Sequence, residues 1–543
     1  MKKDSFLKGT LIASVAIIIT KILGVLYVIP FYGIIGEQGG VLYSYAYNIY
    51  NLFLNISTAG IPIALSMIIS EYITLGNFDA KEKTYNLGKK IIFTFSIISF
   101  LVLFIFSDYF ALFFINGVDG ASPIDDINLV IKAISISLII TPFLSVLRGY
   151  LQGHKFIAPG SISQVWEQII RIAVVLLGSF LAINVFNTSI PIGVSVALTG
   201  AFFGGIGAYI YLRLKINKNK KLFETENSKK VKTTNKEIFS KIIMYCIPLI
   251  IISVTTDLYN IIDMKLIIKG LYIVGFDANT CELISSIIST WVPKICMIIS
   301  AIAMGLTTSL IPHLIETYTK KDYKESNRIF NQAVSTMLVI SLPMFVGIII
   351  LSDEVYRVFY GASLYGGNIL VFSAMVSIFV GTLSVMNTAL QGFKKFKVVI
   401  ANTCIGLLVN TILDIPLIII LDKLGLTPYY GTMIATMIGA SISMIIVLSY
   451  LKAEFNFKYM DIISNISKTF MPLLFMAIVI VPLEYILPDV TNRIYLVIEI
   501  LILGIIGAMV YFLFLYKNKG LYNVFGKEQI DRLLIKLHLK NLE

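Results

Sequence analysis

Charge is what this chain has least of. Only 14% of its 543 residues are Asp, Glu, Lys or Arg, against roughly a quarter in soluble domains, which excludes a water-soluble fold of this length. Cysteine is scarce: Cys246, Cys281, Cys296 and Cys404 show no paired spacing. That removes a disulfide framework or zinc cluster and leaves structural thiols. Three widely spread histidines argue against a metal centre. The long hydrophobic runs, such as Ile91–Phe106 and Leu496–Leu515, also lack the apolar–polar alternation of barrel strands. Helices remain as the other structure that satisfies its backbone in lipid.

What is present is hydrophobic length. Apolar side chains make up 57% of the chain, the mean hydropathy is +0.85, and runs of roughly 18 residues, enough to span a bilayer core, recur throughout. The basic start Met1–Lys8 precedes an apolar segment too long for a signal peptide and without an A-x-A site, so that segment reads as a first helix. The sequence predicts an all-α polytopic membrane protein. Its helices fall near 9–30, 43–70, 91–116, 128–147, 161–183, 193–212, 242–263, 285–315, 329–352, 366–391, 398–421, 428–451, 469–486 and 494–516. On this map 35 of the 44 Lys and Arg lie on one side of the membrane, 5 on the other and 4 within helices. The positive-inside rule then puts both termini in the cytosol, in a cell-membrane protein. The net charge of +12 faces anionic headgroups, not nucleic acid.

The expected organisation is an N-terminal six-helix half over 1–213, a cytosolic basic linker over 214–241, a C-terminal six-helix half over 242–452, two additional helices over 453–516 and a cytosolic tail over 517–543. In the tail, Ile530, Leu533, Leu534 and Leu537 recur at helical spacing, as either a surface-lying amphipathic helix or a solvated tail. The halves repeat each other. Leu151-Gln152-Gly153-His154-Lys155-Phe156 returns 239 residues later as Leu390-Gln391-Gly392-Phe393-Lys394-Lys395-Phe396. Ile61-Pro62, Glu71 and Asn77-Phe78 return as Ile311-Pro312, Glu316 and Asp322-Tyr323, with Glu71 and Glu316 separated by 245. Two six-helix bundles of one orientation, related by a pseudo-twofold along the membrane normal, are therefore expected, as in many transporters.

A charge at the bilayer centre costs about 2.5–3.5 kcal/mol on insertion scales, so each one must be paired, snorkel or line a polar cavity. Lys21 has no acid within a turn, and Lys294 has none nearer in sequence than Glu282. These two read either as ion pairs with distant helices or as an anion site between the halves. Arg171, four residues after Glu167, reads as an intrahelical pair. Lys132 snorkels, and Arg148 either anchors its helix or recruits an anionic headgroup. Asp257 and Asp263 belong to helix 7. Asn410 and Asp414 share a face of helix 11, as a hydrogen-bonded pair or as oxygen ligands for a hard cation or proton. The tyrosines of 43–50 read as an outer aromatic belt.

Several blocks carry a resemblance: Thr20-Lys21-Ile22-Leu23-Gly24, Asn51-Leu52-Phe53-Leu54-Asn55-Ile56 with Gly60-Ile61-Pro62, Arg148-Gly149-Tyr150-Leu151-Gln152-Gly153-His154 and Ser163-Gln164-Val165-Trp166-Glu167-Gln168. Together they resemble the polysaccharide-exporter branch of the multidrug/oligosaccharidyl-lipid/polysaccharide superfamily, in particular the MurJ-like lipid II flippases and the stage V sporulation protein B group. The resemblance implies two bundles opening alternately to either side, and a monomer carrying an undecaprenyl-diphosphate-linked peptidoglycan unit. Its partners would be membrane lipids and cell-wall synthesis enzymes. Lys21 and Lys294 fall where the family has arginines, and Arg148, Arg171 and Glu167 join them as headgroup contacts. The last two helices would form a groove for the lipid tail. A sodium site is implied at Asp263, Asn410, Asp414 and Thr436, so no cofactor is expected beyond a coupling ion, Na+ or H+. Tyr27, Leu54 and Asn55 stand where the family has further arginines, and lysine lacks the fork that grips phosphate oxygens. The rivals are an exporter of another undecaprenyl-linked oligosaccharide and a cation-coupled multidrug exporter, which would need an acidic cavity. An enzyme is not expected: the longest outer loop, about 264–284, carries one Asp and one Glu.

Overall fold

The computed structural model describes residues 6–219, 233–488, 492–525 and 530–531. Residues 220–232 of the basic linker and most of the tail, including Leu533, Leu534 and Leu537, lie outside the described residues. Those described are helical with no strand, as a bilayer solvent requires. Thirteen helical spans are long and apolar enough to cross a membrane. The first, Val15–Thr74, has 60 residues and therefore extends to about 90 Å, some three hydrocarbon thicknesses. It contains a kink at Gly36 (φ 65°) and a break at Gly60 (φ 76°). It accounts for two crossings, and with it the total reaches the fourteen read from the sequence. The kink falls at Gly36 because glycine adopts that backbone freely.

The chain forms two compact units, Met1–Ser289 and Thr290–Glu543. The division falls at Ser289/Thr290, not at the basic linker. The 39-residue helix Asn235–Ile273 packs with the first six crossings, and polar ties join it to them along its length. Asn77 Nδ2 donates to Thr233 Oγ1 (3.1 Å) just before its start, Lys241 pairs with Glu71 (2.7 Å), and Asn55 Nδ2 donates to Asp257 Oδ2 (2.7 Å). Just beyond it, in Ala278–Ser286, Glu282 accepts from Tyr45 Oη (2.8 Å) and Ser122 Oγ (2.7 Å). The break at Gly60 lets the backbone approach this helix: a Cβ there would lie 3.2 Å from Cys246 Cα.

Two expectations are corrected. The stretch 264–284 is not a loop; helices Asn235–Ile273 and Ala278–Ser286 occupy most of it, with only the short Val274–Asp277 turn between them. A capping box of Thr234 and Glu237 starts the first of these helices and Asp277 caps the second, so capping carries helix well past the apolar stretch. Capping has the same effect at Asn77, which starts Phe78–Ile105 thirteen residues before the expected boundary at 91. The tyrosines of 43–50 are not a belt: Tyr43, Tyr45 and Tyr50 are buried inside the first unit.

The repeat is visible in local structure. Lys155 and Lys394 both adopt left-handed φ (64° and 57°). Phe156 N bonds to Leu151 O (2.9 Å) as Lys395 N bonds to Leu390 O (2.8 Å), the same Schellman closure twice. Gly76 and Lys321 (φ 71° and 58°) match likewise. Helices Phe78–Ile105 and Ser107–Ile115 recur as Tyr323–Ile350 and Ser352–Tyr360, identical in length and 245 residues on. In the second unit the final pair, Phe470–Ile486 and Arg493–Lys517, stacks Phe475 on Phe514 (4.1 Å) and docks Tyr511 Oη on Val339 O (2.8 Å).

Candidate functional site

The charged centre of the first unit is built on helix Ile157–Phe180. Behind it, helix Gly200–Lys218 comes so close that a Cβ on Gly204 would lie 2.6 Å from Glu167 O and one on Gly200 2.9 Å from Arg171 O. Gly200-x-x-x-Gly204 is the small-xxx-small device of membrane helix pairs, and it pins the backbone that carries the charges. Helix Phe6–Leu26 packs against the same helix, and Gly24 faces Gln168.

From this wall Glu167 reaches two arginines. Arg171 Nη2 donates to Oε1 at 2.6 Å, and Arg148 Nη2, from helix Thr141–Gly153, donates to Oε2 at 2.7 Å. Arg148 Nε also donates to Ser163 Oγ at 3.0 Å. The Glu167–Arg171 pair is the intrahelical pair expected from the spacing. Arg148 reaches across to Glu167 and completes a triad of net charge +1. Tyr27, Tyr47 and Tyr50 lie within electrostatic reach of Arg171, as does Tyr43. The Tyr27 and Tyr43 hydroxyls are 3.4 Å apart, and Tyr43 stacks on Tyr47. Tyr43, Tyr47 and Tyr50 share one helical face, which is why this stripe turns inward.

Lys21 sits half-buried one turn before Gly24, and no charged group acts on it among the described residues. Lys294, in the second unit, is buried at the start of helix Val292–Thr319, with Nζ 4.2 Å from the Trp291 ring centroid. A cation over an indole face is stabilised without a carboxylate.

The second unit also brings together three of the four residues implied for a cation. Thr436 Oγ1 donates to Asn410 Oδ1 (3.1 Å), and Asn410 Nδ2 donates to Asp414 Oδ2 (3.4 Å), with Asn410 and Asp414 fully buried. Oxygen donors of this kind suit a hard cation. The amide turned on the carboxylate is equally the hydrogen-bonded pair read from the sequence. Asp263 belongs to the first unit. Sequence reasoning missed the link from Arg148 to Glu167, the bond from Asn55 to Asp257 and the tyrosines around Arg171. Of these features only the helical spacing of Tyr43, Tyr47 and Tyr50 left a local signal.

Comparisons with known proteins follow the same division. The polysaccharide biosynthesis protein family matches residues 6–279 and the MatE family residues 290–415. The lipid II flippase MurJ of Bacillus subtilis (strain 168) is 32% identical over 464 residues, 84% of each chain. Stage V sporulation protein B of the same organism is 25% identical over 420 residues, covering 76% of this chain and 77% of that one. Among solved structures, lipid II flippase MurJ in an inward closed conformation superposes with a TM-score of 0.66 at 20% identity, over 94% of this chain and 99% of that one. A multidrug resistance MATE family transporter in its inward-facing conformation gives 0.63 at 13%, over 81% and 98%. Both structural likenesses are likenesses of fold.

Proposed function

The chain belongs to the polysaccharide biosynthesis protein family, and from that premise we propose that it is a flippase carrying lipid II, a lipid-linked peptidoglycan precursor, from the inner to the outer leaflet by alternating access. The observation that carries this reading is the net positive charge of the Arg148–Glu167–Arg171 triad in the first unit. Two arginines share one carboxylate, and Lys21 stands on the neighbouring helix. A diphosphate supplies the missing negative charge. Lys21, Arg148 and Arg171 are its proposed contacts in the first unit, and Glu167 sets the arginine positions. With N and C termini cytosolic, outward movement of net negative charge is favoured by an inside-negative potential, by about 2.3 kcal/mol per charge per 100 mV. No covalent step is required.

A coupling ion, Na+ or H+, is assigned to Asn410, Asp414 and Thr436 of the second unit. A cation-exporting role is disfavoured by the sign of the triad's net charge. Another undecaprenyl-linked saccharide would meet the same cations through the same diphosphate, so the cargo is tested directly. Cells depleted of their own lipid II flippase and given this chain should recover growth and display the lipid II headgroup outside. Failure of both, with the chain present in the membrane, refutes the assignment.

A further inference from the structure

Glu167 is placed where the cargo's own charge would go. Its two oxygens are divided between two guanidiniums, at 2.6 and 2.7 Å. Each arginine spends a single terminal nitrogen on it and makes no two-pronged contact. Arg171 Nε is buried with no acceptor. Arg148 Nε is met only by Ser163 Oγ, which is itself bonded to Gly160 O at 2.5 Å. The side chains of Arg148 and Arg171 keep 20% and 29% of their surface open, against 12% for Glu167. Guanidinium grips phosphate best through parallel N–H donors; here Arg171 Nε has no acceptor and Arg148 Nε has only a hydroxyl. The carboxylate therefore fills the arginines' charge requirement without filling their hydrogen-bonding capacity.

The charge count gives the consequence. Without Glu167, two guanidiniums would sit a carboxylate's width apart in a low-dielectric site, a costly arrangement. With both Glu167 and a diphosphate present, like charges would crowd the same donors. The two anions compete.

We propose that Glu167 is a resident counter-anion. It holds Arg148 and Arg171 in register while the site is empty, yields them to the diphosphate of the cargo, and reclaims them to expel it. Glu167 is thus a positioning residue whose charge limits affinity so that release stays fast. The inference rests on the flippase reading for its cargo, but the exchange of anions is a property of the site itself.

The test uses the full chain in lipid nanodiscs with inorganic pyrophosphate as the probe, followed by the same variants in vesicles carrying lipid II. Glu167→Gln keeps the size and one acceptor and removes the charge. It should bind pyrophosphate about tenfold more tightly than wild type, equivalent to about 1.4 kcal/mol, and should lower both the half-saturating lipid II concentration and the maximal flipping rate. Glu167→Asp keeps the charge on a shorter arm that cannot span both arginines. It should tighten binding less and retain more of the maximal rate, which keeps the test open should the Gln variant fail to fold. Pyrophosphate binding that is unchanged or weaker in both variants overturns the counter-anion role even if wild type flips lipid II. Tighter binding by the variants in a chain that does not move lipid II upholds the role and overturns the cargo reading.

Discussion

A methyl group on Gly204 would press on the carbonyl oxygen of Glu167, whereas one on Gly33 would meet nothing within 4 Å. The two glycines give a matched pair of substitutions. Gly204→Ala should cost about 1–3 kcal/mol, the usual range for overpacking a close contact, and should disturb the triad. Gly33→Ala should be neutral or stabilising by up to about 1 kcal/mol, because it removes a helical glycine without a clash. Denaturant midpoints in detergent micelles check both. Lys21 makes the opposite kind of prediction. Half-buried and untouched by other charges, it contributes little packing, so Lys21→Ala should leave stability within about 0.5 kcal/mol. It should slow lipid II flipping at least about tenfold, and Lys21→Arg should restore the rate. Of the charged centre, only Glu167–Arg171 was legible in the sequence, because four residues is one helical turn. Arg148 to Glu167 spans 19 residues and Asn55 to Asp257 spans 202, and no periodicity encodes either.

At the scale of elements, the repeat was legible in two short motifs and is larger in the structure. The pair Ser107–Ile115 and Ser352–Tyr360 shares no motif that sequence reading caught, since a break between two apolar helices leaves the hydropathy unchanged. The repeat also supplies a prediction. Lys321 holds a left-handed conformation (φ 58°) that its counterpart Gly76 (φ 71°) holds without a side chain. An L-residue there costs roughly 1 kcal/mol. Lys321→Gly should therefore raise stability by up to about 1 kcal/mol, and Gly76→Lys should lower it by a similar amount, read as opposite shifts of one unfolding midpoint. Helix ends were the least legible elements. The caps at Asn77, Thr234 and Asp277 add polar turns to helices whose apolar centres alone had been counted.

For the whole molecule, the number of crossings followed from apolar length and from the 35-to-5 division of basic residues, because the bilayer enforces both. Where the chain divides did not follow. Composition marked the basic linker, while packing places Asn235–Ile273 with the first unit, and the polar ties along it are ones that hydropathy cannot register. Function at this scale depends on positive charge held inside the protein without a full complement of acids. The most direct measurement is the rate at which lipid II reaches the outer face of vesicles containing the full chain, compared with the variant carrying Arg148→Gln, Glu167→Gln and Arg171→Gln together. Neutralising all three strands no buried charge, so the variant should fold. The account predicts that its flipping falls to the protein-free rate, and flipping at the wild-type rate would contradict it.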